Sequence, residues 1–341
     1  FENRILTDYF QSVGNRVLSI DDISGFFNSN ERAEQFEPIA SYESNYVFNK
    51  VFTFAKDNIY TDERQFSIVN VLQDGQGYVN EYATIETYPT LGFYDYQNTG
   101  DGWDLTFNPI KFQYNSYVTS AVSISLVDNV VGTGSSVFGD IVTLNSEQVT
   151  IPTGTTTTIA TFPTTNRAAK VITMVEVTSG ISSGQYDATE INIVHDGTNV
   201  IQLEYGDIQN TVPNFGSTGL GTYHGYIDGS NVKIDFIPGV TGPMEAQTSK
   251  TLISDSNVSA GSTDLNVAKI KSTFTSISAS GSPSANIIST YTDPFSASYN
   301  VVVVKDTTNN NYEMFEFAMC NSATNETFVE YGNISNGGGG G

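Results

Sequence analysis

What most constrains this sequence is that it repeats itself. Glu204-Tyr205-Gly206-Asp207-Ile208 returns as Glu330-Tyr331-Gly332-Asn333-Ile334. A matching strand start precedes each: Ile159-Ala160-Thr161-Phe162 then Val171-Ile172, and Ile288-Ser289-Thr290-Tyr291 then Val301-Val302. A second pair links an earlier stretch to the middle one. Tyr94-Asp95-Tyr96, a turn with Gly100-Asp101-Gly102, and Leu105-Thr106-Phe107-Asn108-Pro109 match Tyr223 to Tyr226, Asp228-Gly229, and Ile234-Asp235-Phe236-Ile237-Pro238. Such self-similarity marks one folding unit copied along a chain. The copies span roughly 46–128, 129–255 and 256–341. The third ends after its Glu-Tyr-Gly element, without a closing apolar-x-Phe-x-Pro strand, which sets the expectation that the polypeptide continues.

Within each copy the text is alternation broken by turns. Val194-His195-Asp196-Gly197-Thr198-Asn199-Val200 and Tyr226-Ile227-Asp228-Gly229-Ser230-Asn231-Val232 both read strand, tight turn, strand. Glycine accepts the positive φ that primed hairpin turns require, so Asp-Gly between β-branched or aromatic runs is a strong hairpin signal. Helix signals nearly vanish after residue 45. The fold class is all-β, with tandem Ig-like β-sandwich repeats of about seven short strands each.

Residues 1–45 read differently. Ile5, Leu6, Tyr9, Phe10, Val13 and Val17 recur at three- and four-residue spacing, which predicts a short amphipathic helix. A polar connector from Ser19 to Glu37 follows. Such a segment either docks the chain to a neighbour or packs on its own first sandwich.

Charge narrows the partners. There are 14 Lys plus Arg against 37 Asp plus Glu, a formal net charge of −23. That field repels phosphate backbones and anionic lipid, so nucleic acid is not an expected partner. One cysteine, Cys320, rules out an intrachain disulfide framework. No apolar run approaches the ~20 residues a membrane helix needs. The chain opens at Phe1 with no signal-type segment, and its Gly337–Gly341 end reads as a tail.

The stretch Asn3-Arg4-Ile5-Leu6-Thr7-Asp8-Tyr9-Phe10-Gln11-Ser12-Val13-Gly14-Asn15-Arg16-Val17-Leu18-Ser19-Ile20-Asp21-Asp22-Ile23-Ser24 resembles a segment of large virion structural proteins of contractile-tailed bacteriophages that infect marine cyanobacteria. The module after it, with Arg64 to Leu72, Asp74-Gly75 and Tyr78 to Glu86, resembles the one that follows in those proteins. The resemblance covers about the first 125 residues. It implies a tail, baseplate or fibre-associated role in an extracellular particle, with copies of itself and other virion proteins as partners. It supplies no catalytic residue.

Candidate chemistry is sparse. Gly180-Ile181-Ser182-Ser183-Gly184 has the letters of a nucleophile elbow, but the serine falls in a hairpin loop, and His195 and His224 are the only histidines. Aspartates at turns (Asp74, Asp101, Asp196, Asp228, Asp306) lack the dense spacing of a calcium loop and suit turn hydrogen bonding instead. No cofactor or metal site is expected. The cluster Tyr88, Phe93, Tyr94, Tyr96 and Trp103 offers two roles. Tyr94, Tyr96 and Trp103 are candidate contacts for a host-surface glycan, as in a receptor-binding fibre module, or they are core and cross-strand packing. The matching aromatics of the middle copy favour packing. A bacterial surface adhesin or surface-layer protein is the other alternative, and an enzyme ranks last.

Overall fold

A computed structural model describes residues 18–27, 37–110, 117–127, 134–138, 142–210, 219–254, 261–264, 269–272, 297–321 and 326–336, less 45, 58, 61, 74–75, 88–89, 307 and 310. The fold is all-β, and no helix occurs among the described residues. The helix expected between Ile5 and Val17 lies outside them.

Among the described residues the first module has eight strands: β1 (Leu18–Phe27), β2 (Glu37–Glu43), β3 (Tyr46–Asp57), β4 (Arg64–Gln73), β5 (Gly77–Glu86), β6 (Gly92–Asn98), β7 (Gly102–Pro109) and β8 (Tyr117–Val127). They form a large sheet, β1-β8-β3-β4-β5, and a small one, β2-β7-β6. The second module has β9 (Gly134–Phe138), β10 (Val142–Ile151), β11 (Thr157–Pro163), β12 (Asn166–Val177), β13 (Tyr186–His195), β14 (Val200–Gln209), β15 (Gly221–Asp228), β16 (Asn231–Pro238) and β17 (Met244–Ser254). Its sheets run β9-β10-β17-β12-β13-β14 and β11-β16-β15. With β1 set against β10, the two wiring diagrams coincide strand for strand, β9 being an added edge. In each, inward residues of both sheets form one apolar core. Trp103, Leu105 and Phe107 meet Val69 and Val71 in the first; Phe162, Ile234 and Phe236 meet Ile191 and Ile193 in the second.

A third sheet is built from β20 (Ala297–Asp306), β21 (Asn311–Asn321) and β22 (Glu326–Ser335). It corresponds to β3-β4-β5 and β12-β13-β14. Between the second and third modules lies the hairpin of β18 (Gly261–Asp264) and β19 (Lys269–Ser272).

Two sequence expectations are corrected here. The boundary at 45/46 falls inside the first module, because β1 pairs with β8 (Leu18↔Leu126 to Phe27↔Tyr117) and β2 pairs with β7. A strand whose partner lies a hundred residues away carries no turn signal beside it, so its polar text reads as a connector. The third copy is also one residue out of step in its first strand. Ile172 and Val301 are the equivalent residues, since they face Glu190 and Glu316, which in turn face Tyr205 and Tyr331.

The Glu-Tyr-Gly motif is a β-bulge. On β14 two residues, Gly206 and Asp207, stand between paired Tyr205 and Ile208, against one residue on β13; β22 repeats this with Gly332 and Asn333. Both glycines are left-handed, at φ 66° and 63°. The bulge also occurs on β5, where Glu81-Tyr82-Ala83-Thr84-Ile85 shifts register between Phe66 and Ile68. Ala83, at φ 51°, is the one non-glycine with positive φ among the described residues. Left-handed backbone costs an L-residue about 1–2 kcal/mol, against about 0.5–1 for the added freedom of glycine in the unfolded chain. Ala83→Gly is therefore expected to stabilise by up to about 1 kcal/mol. Gly332→Ala is expected to cost about 1–3 kcal/mol, because its Cβ would lie 2.8 Å from Asn192 Nδ2. Urea titration of the two variants checks the opposite signs.

Candidate functional site

The three bulged hairpins converge on one axis. The edge β5, β14 and β22 of each module packs against the next module, and every interface has its own apolar cluster. Phe48 and Leu72 meet Ile172, Tyr186 and Ile208 between modules one and two. Ala168 and Val194 meet Val301, Tyr312 and Ile334 between two and three. Ala297, Ala318 and Cys320 meet Phe52, Phe66 and Ile85 between three and one. Phe48, Ala168 and Ala297 are equivalent positions, as are Leu72, Val194 and Cys320, then Ile172, Val301 and Phe52, then Ile208, Ile334 and Ile85, so the contact is head-to-tail and closes after three steps. The modules form a pseudo-threefold ring within one chain.

Along the axis lies a polar network that neither face of a simple sandwich provides. Sheet register assigns the stations: Lys50, Lys170 and Tyr299; Ile68, Glu190 and Glu316; Asn70, Asn192 and Ala318; Tyr82, Tyr205 and Tyr331. At the first junction Asn70 Nδ2 donates to Glu190 Oε1 (3.2 Å) and to the bulge carbonyl of Gly206 (3.1 Å), and Tyr82 donates to Glu190. At the second, Asn192 Nδ2 donates to Glu316 Oε1 (2.8 Å) and to the carbonyl of Gly332 (3.0 Å), and Tyr205 donates to Glu316. The third junction breaks the pattern. Ala318 and Ile68 meet there as apolar groups, and the Tyr331 hydroxyl is buried without a hydrogen-bond partner.

Two cations and two anions share this core. Lys50 Nζ lies 2.5 Å from Glu190, and Lys170 Nζ bridges Glu190 (2.6 Å) and Glu316 (2.8 Å), all four side chains at 5 % exposure or less. The set is neutral, which is what makes its burial tolerable. Burial opposes the charge on Glu190, but Lys170 and Lys50 outweigh it and hold the carboxyl down at about 2. Burial lowers Lys50 to about 8, only partly opposed by Glu190. Burial also works against Lys170, yet Glu190 and Glu316 together raise it above the ordinary lysine value. Above the network the axis opens into a cup of about 370 Å³. Each module lines it with the same three positions: Asn80, Tyr82 and Ala83; Leu203, Tyr205 and Gly206; Val329, Tyr331 and Gly332. Tyr331 meets Tyr82 and Tyr205 edge-on at 6.2 and 6.3 Å. Chemically, the arrangement pins register and orientation. Its amines and carboxylates are spent on one another.

The residues singled out in the sequence sit elsewhere. Trp103 is fully buried and stacks on Tyr42 at 4.2 Å, Tyr94 is 5 % exposed, and Tyr96 is half-buried against Trp103. Of that aromatic cluster Phe93 is exposed, and Tyr88 lies outside the described residues. Ser182 occupies the turn between β12 and β13, while His195 ends β13, ten strand residues or ~33 Å away. His195 is buried with Nε2 2.9 Å from the Asn166 carbonyl. His224 stacks on Tyr226. Asp196 and Asp306 accept the backbone N–H groups of their own turns, and Asp228 pairs with Lys233. Asp74 lies outside the described residues. Among the described residues no three His, Cys, Asp or Glu gather as metal ligands. Burial raises Cys320 to about 12, so its thiol stays protonated.

One titrating group lies off the axis. Asp187 accepts the N–H of Leu220 at 2.9 Å, as Gln65 accepts that of Leu91 in the first module. Burial, then the neighbouring Asp207, raises Asp187 to about 8. The folded state therefore holds a proton that the unfolded chain releases near its ordinary value of 3.8. That stabilisation is full below pH ~4 and is lost as pH rises through about 8. Asp187→Asn supplies the neutral group that the first module already uses. Its melting temperature is expected to exceed the parent's at pH 9, with the gap closing toward pH 4.

Sequence pattern held signals for the axis. Lys50 and Lys170 each follow by eight residues the aromatic of an Ile-Ala-x-aromatic run, Tyr42 and Phe162, and Tyr299 follows Tyr291 by the same interval. No family model matches the chain, and no curated protein or solved structure matches it.

Proposed function

We infer that this chain is a structural component of a virus particle, a tail, baseplate or fibre-associated scaffold of the contractile-tailed bacteriophage type, built from Ig-like sandwich modules and acting without catalysis. The supporting observation is the fate of its reactive groups. Lys50, Lys170, Glu190 and Glu316 are buried in one neutral network that locks three modules into a ring. A ring fixed this way is a rigid block of defined shape, which a spacer or scaffold requires and an enzyme cleft does not. The acidic chain, at −23, keeps a large exposed surface soluble and repels anionic polymers. Its partners in this role are copies of itself and other virion proteins. Burial of Trp103 and Tyr94 in the first core turns those rings toward packing and away from glycan contact.

The test is to purify particles from an infected marine cyanobacterium whose phage encodes this chain. Quantitative mass spectrometry should find it in a fixed ratio to tail proteins, and the density map should show three-module rings. Exclusion from purified particles, or turnover of surface polysaccharide by the isolated chain, would overturn the assignment.

A further inference from the structure

Two of the three junctions repeat a set of side chains that charge balance alone does not require. Lys50 stands directly across the β3–β4 pair from Asn70, and Lys170 across β12–β13 from Asn192. Opposed residues of antiparallel strands have Cβ atoms about 4.5–5.5 Å apart, within reach of a lysine that curls back. In each set one carboxylate of the following module takes both nitrogens. Glu190 receives Lys50 Nζ at 2.5 Å and Asn70 Nδ2 at 3.2 Å; Glu316 Oε1 receives Lys170 Nζ and Asn192 Nδ2, both at 2.8 Å. At the third junction the amine, carboxamide and carboxylate are replaced together, by Tyr299, Ala318 and Ile68. An amine, a carboxamide and a proton carrier are the parts of an amide exchange, and here they occur as a unit.

The two sets differ in readiness. Lys170 also contacts Glu190, and the Asn192 oxygen accepts from Tyr205 at 3.2 Å, so both groups of that set are engaged. Asn70 is fully buried and its Oδ1 has no donor, an unpaired polar atom that packing does not explain. Lys50 Nζ is ringed by Phe52, Tyr82 and Tyr299, whose centroids lie 5.4, 5.6 and 5.1 Å away. The charged groups facing it are Glu190 on β13, Lys170 on β12 and Glu316 on β21, while burial keeps both tyrosines protonated. Burial, ahead of these charges, brings the Lys50 amine to about 8.

We propose that Lys50 and Asn70 condense into an isopeptide bond inside the folded chain, with Glu190 as the proton carrier. The neutral Nζ attacks Asn70 Cγ. Glu190 takes the proton that the new C–N bond makes acidic and returns it to Nδ2, the Cγ–Nδ2 bond breaks, and one ammonia leaves. Nothing is oxidised or reduced, and no other reactant enters. Lys50 is one of the two cations that depress the Glu190 carboxyl, so the neutral amine makes Glu190 a better proton acceptor. Fixed neighbours replace a bimolecular encounter, and burial keeps water from competing. The carboxylate comes from the second module and the other two groups from the first, so the bond forms only after those modules have closed on each other. It staples β3 to β4 with the chain's own residues, whether or not the chain belongs to a virus particle.

The test is intact mass spectrometry on the full chain. Chain made unfolded, in inclusion bodies, starts unreacted; it is refolded and sampled over days at pH 7 and pH 9. The mass is expected to fall below that of the sequence by one ammonia, and fragmentation should find a branched peptide joining Lys50 to Asn70. Conversion should run about tenfold faster at pH 9 than at pH 7, following the neutral fraction of an amine near 8. Glu190→Gln should slow it by at least about tenfold. Asn70→Ala leaves the Lys50–Glu190 pair in place and should keep the full mass. Lys50→Arg distinguishes this reaction from closure of an asparagine on its own backbone, which also expels ammonia. An unchanged mass in parent chain whose circular dichroism shows it folded, a branch at other residues, or ammonia lost as readily by the Lys50→Arg chain would overturn the proposal.

Discussion

Glu190→Ala is expected to lower the unfolding free energy by about 3–5 kcal/mol. The carboxylate accepts from Asn70 and Tyr82 and neutralises both Lys50 and Lys170. Its removal takes from Lys50, at 0 % exposure, the carboxylate it contacts and so disfavours the charged amine further, and Asn70 and Tyr82 lose an acceptor. Lys170 keeps Glu316, so the damage concentrates at the junction of modules one and two. Trp103 is the single tryptophan and sits in the first core, so its fluorescence follows that module while circular dichroism follows all three. In a guanidinium titration the two signals should coincide in the parent and separate in the variant. Removing the pair together, Lys50→Met with Glu190→Leu, leaves the Lys170–Glu316 pair balanced and should recover most of the loss. If the single variant unfolds like the parent, the network does not hold the ring. Acid acts on the same group. Glu190 sits at about 2, below its ordinary 4.5, so its contribution is full above pH ~4.5 and disappears as pH falls through about 2.

Trp103→Ala should cost about 3–5 kcal/mol, the range for emptying a large buried ring site. The indole is fully buried between Tyr42 and Tyr96, and its Nε1–H donates to the Tyr46 carbonyl at 3.2 Å, tying the small sheet to β3. Alanine removes the ring and the indole donor, leaving that carbonyl to Asn49 Nδ2 at 3.2 Å. Thermal melting by circular dichroism should show the first module unfolding well ahead of the rest. A variant that melted like the parent but lost binding on a glycan array would restore the ring to a receptor surface.

The fold was legible where local chemistry decides. Asp196-Gly197 and Asp228-Gly229 do turn β13 into β14 and β15 into β16. The Glu-Tyr-Gly echo does mark equivalent places, and the apolar-x-Phe-x-Pro strands do pair with tyrosine strands. The axis was hidden for a physical reason. Alternation along β13 puts Ile191 and Ile193 on one face and Glu190 and Asn192 on the other, which reads as core and solvent. All ten residues of β13 are buried, because a neighbouring module takes the place of water on the polar face. The first copy of the bulge motif escapes notice because alanine stands where the others have glycine, and its strand start, Ile39-Ala40-Ser41-Tyr42, lies in text that looks like linker.

Enclosing three modules in a single polypeptide has a consequence that three separate subunits would not share. Dilution cannot take such a ring apart, so its melting should be independent of protein concentration. Nor does a change at one junction impose itself on the other two: Ile68 and Ala318 can form a greasy seam while their counterparts carry ions and amides. Covalent linkage has freed each third of the circle to diverge on its own.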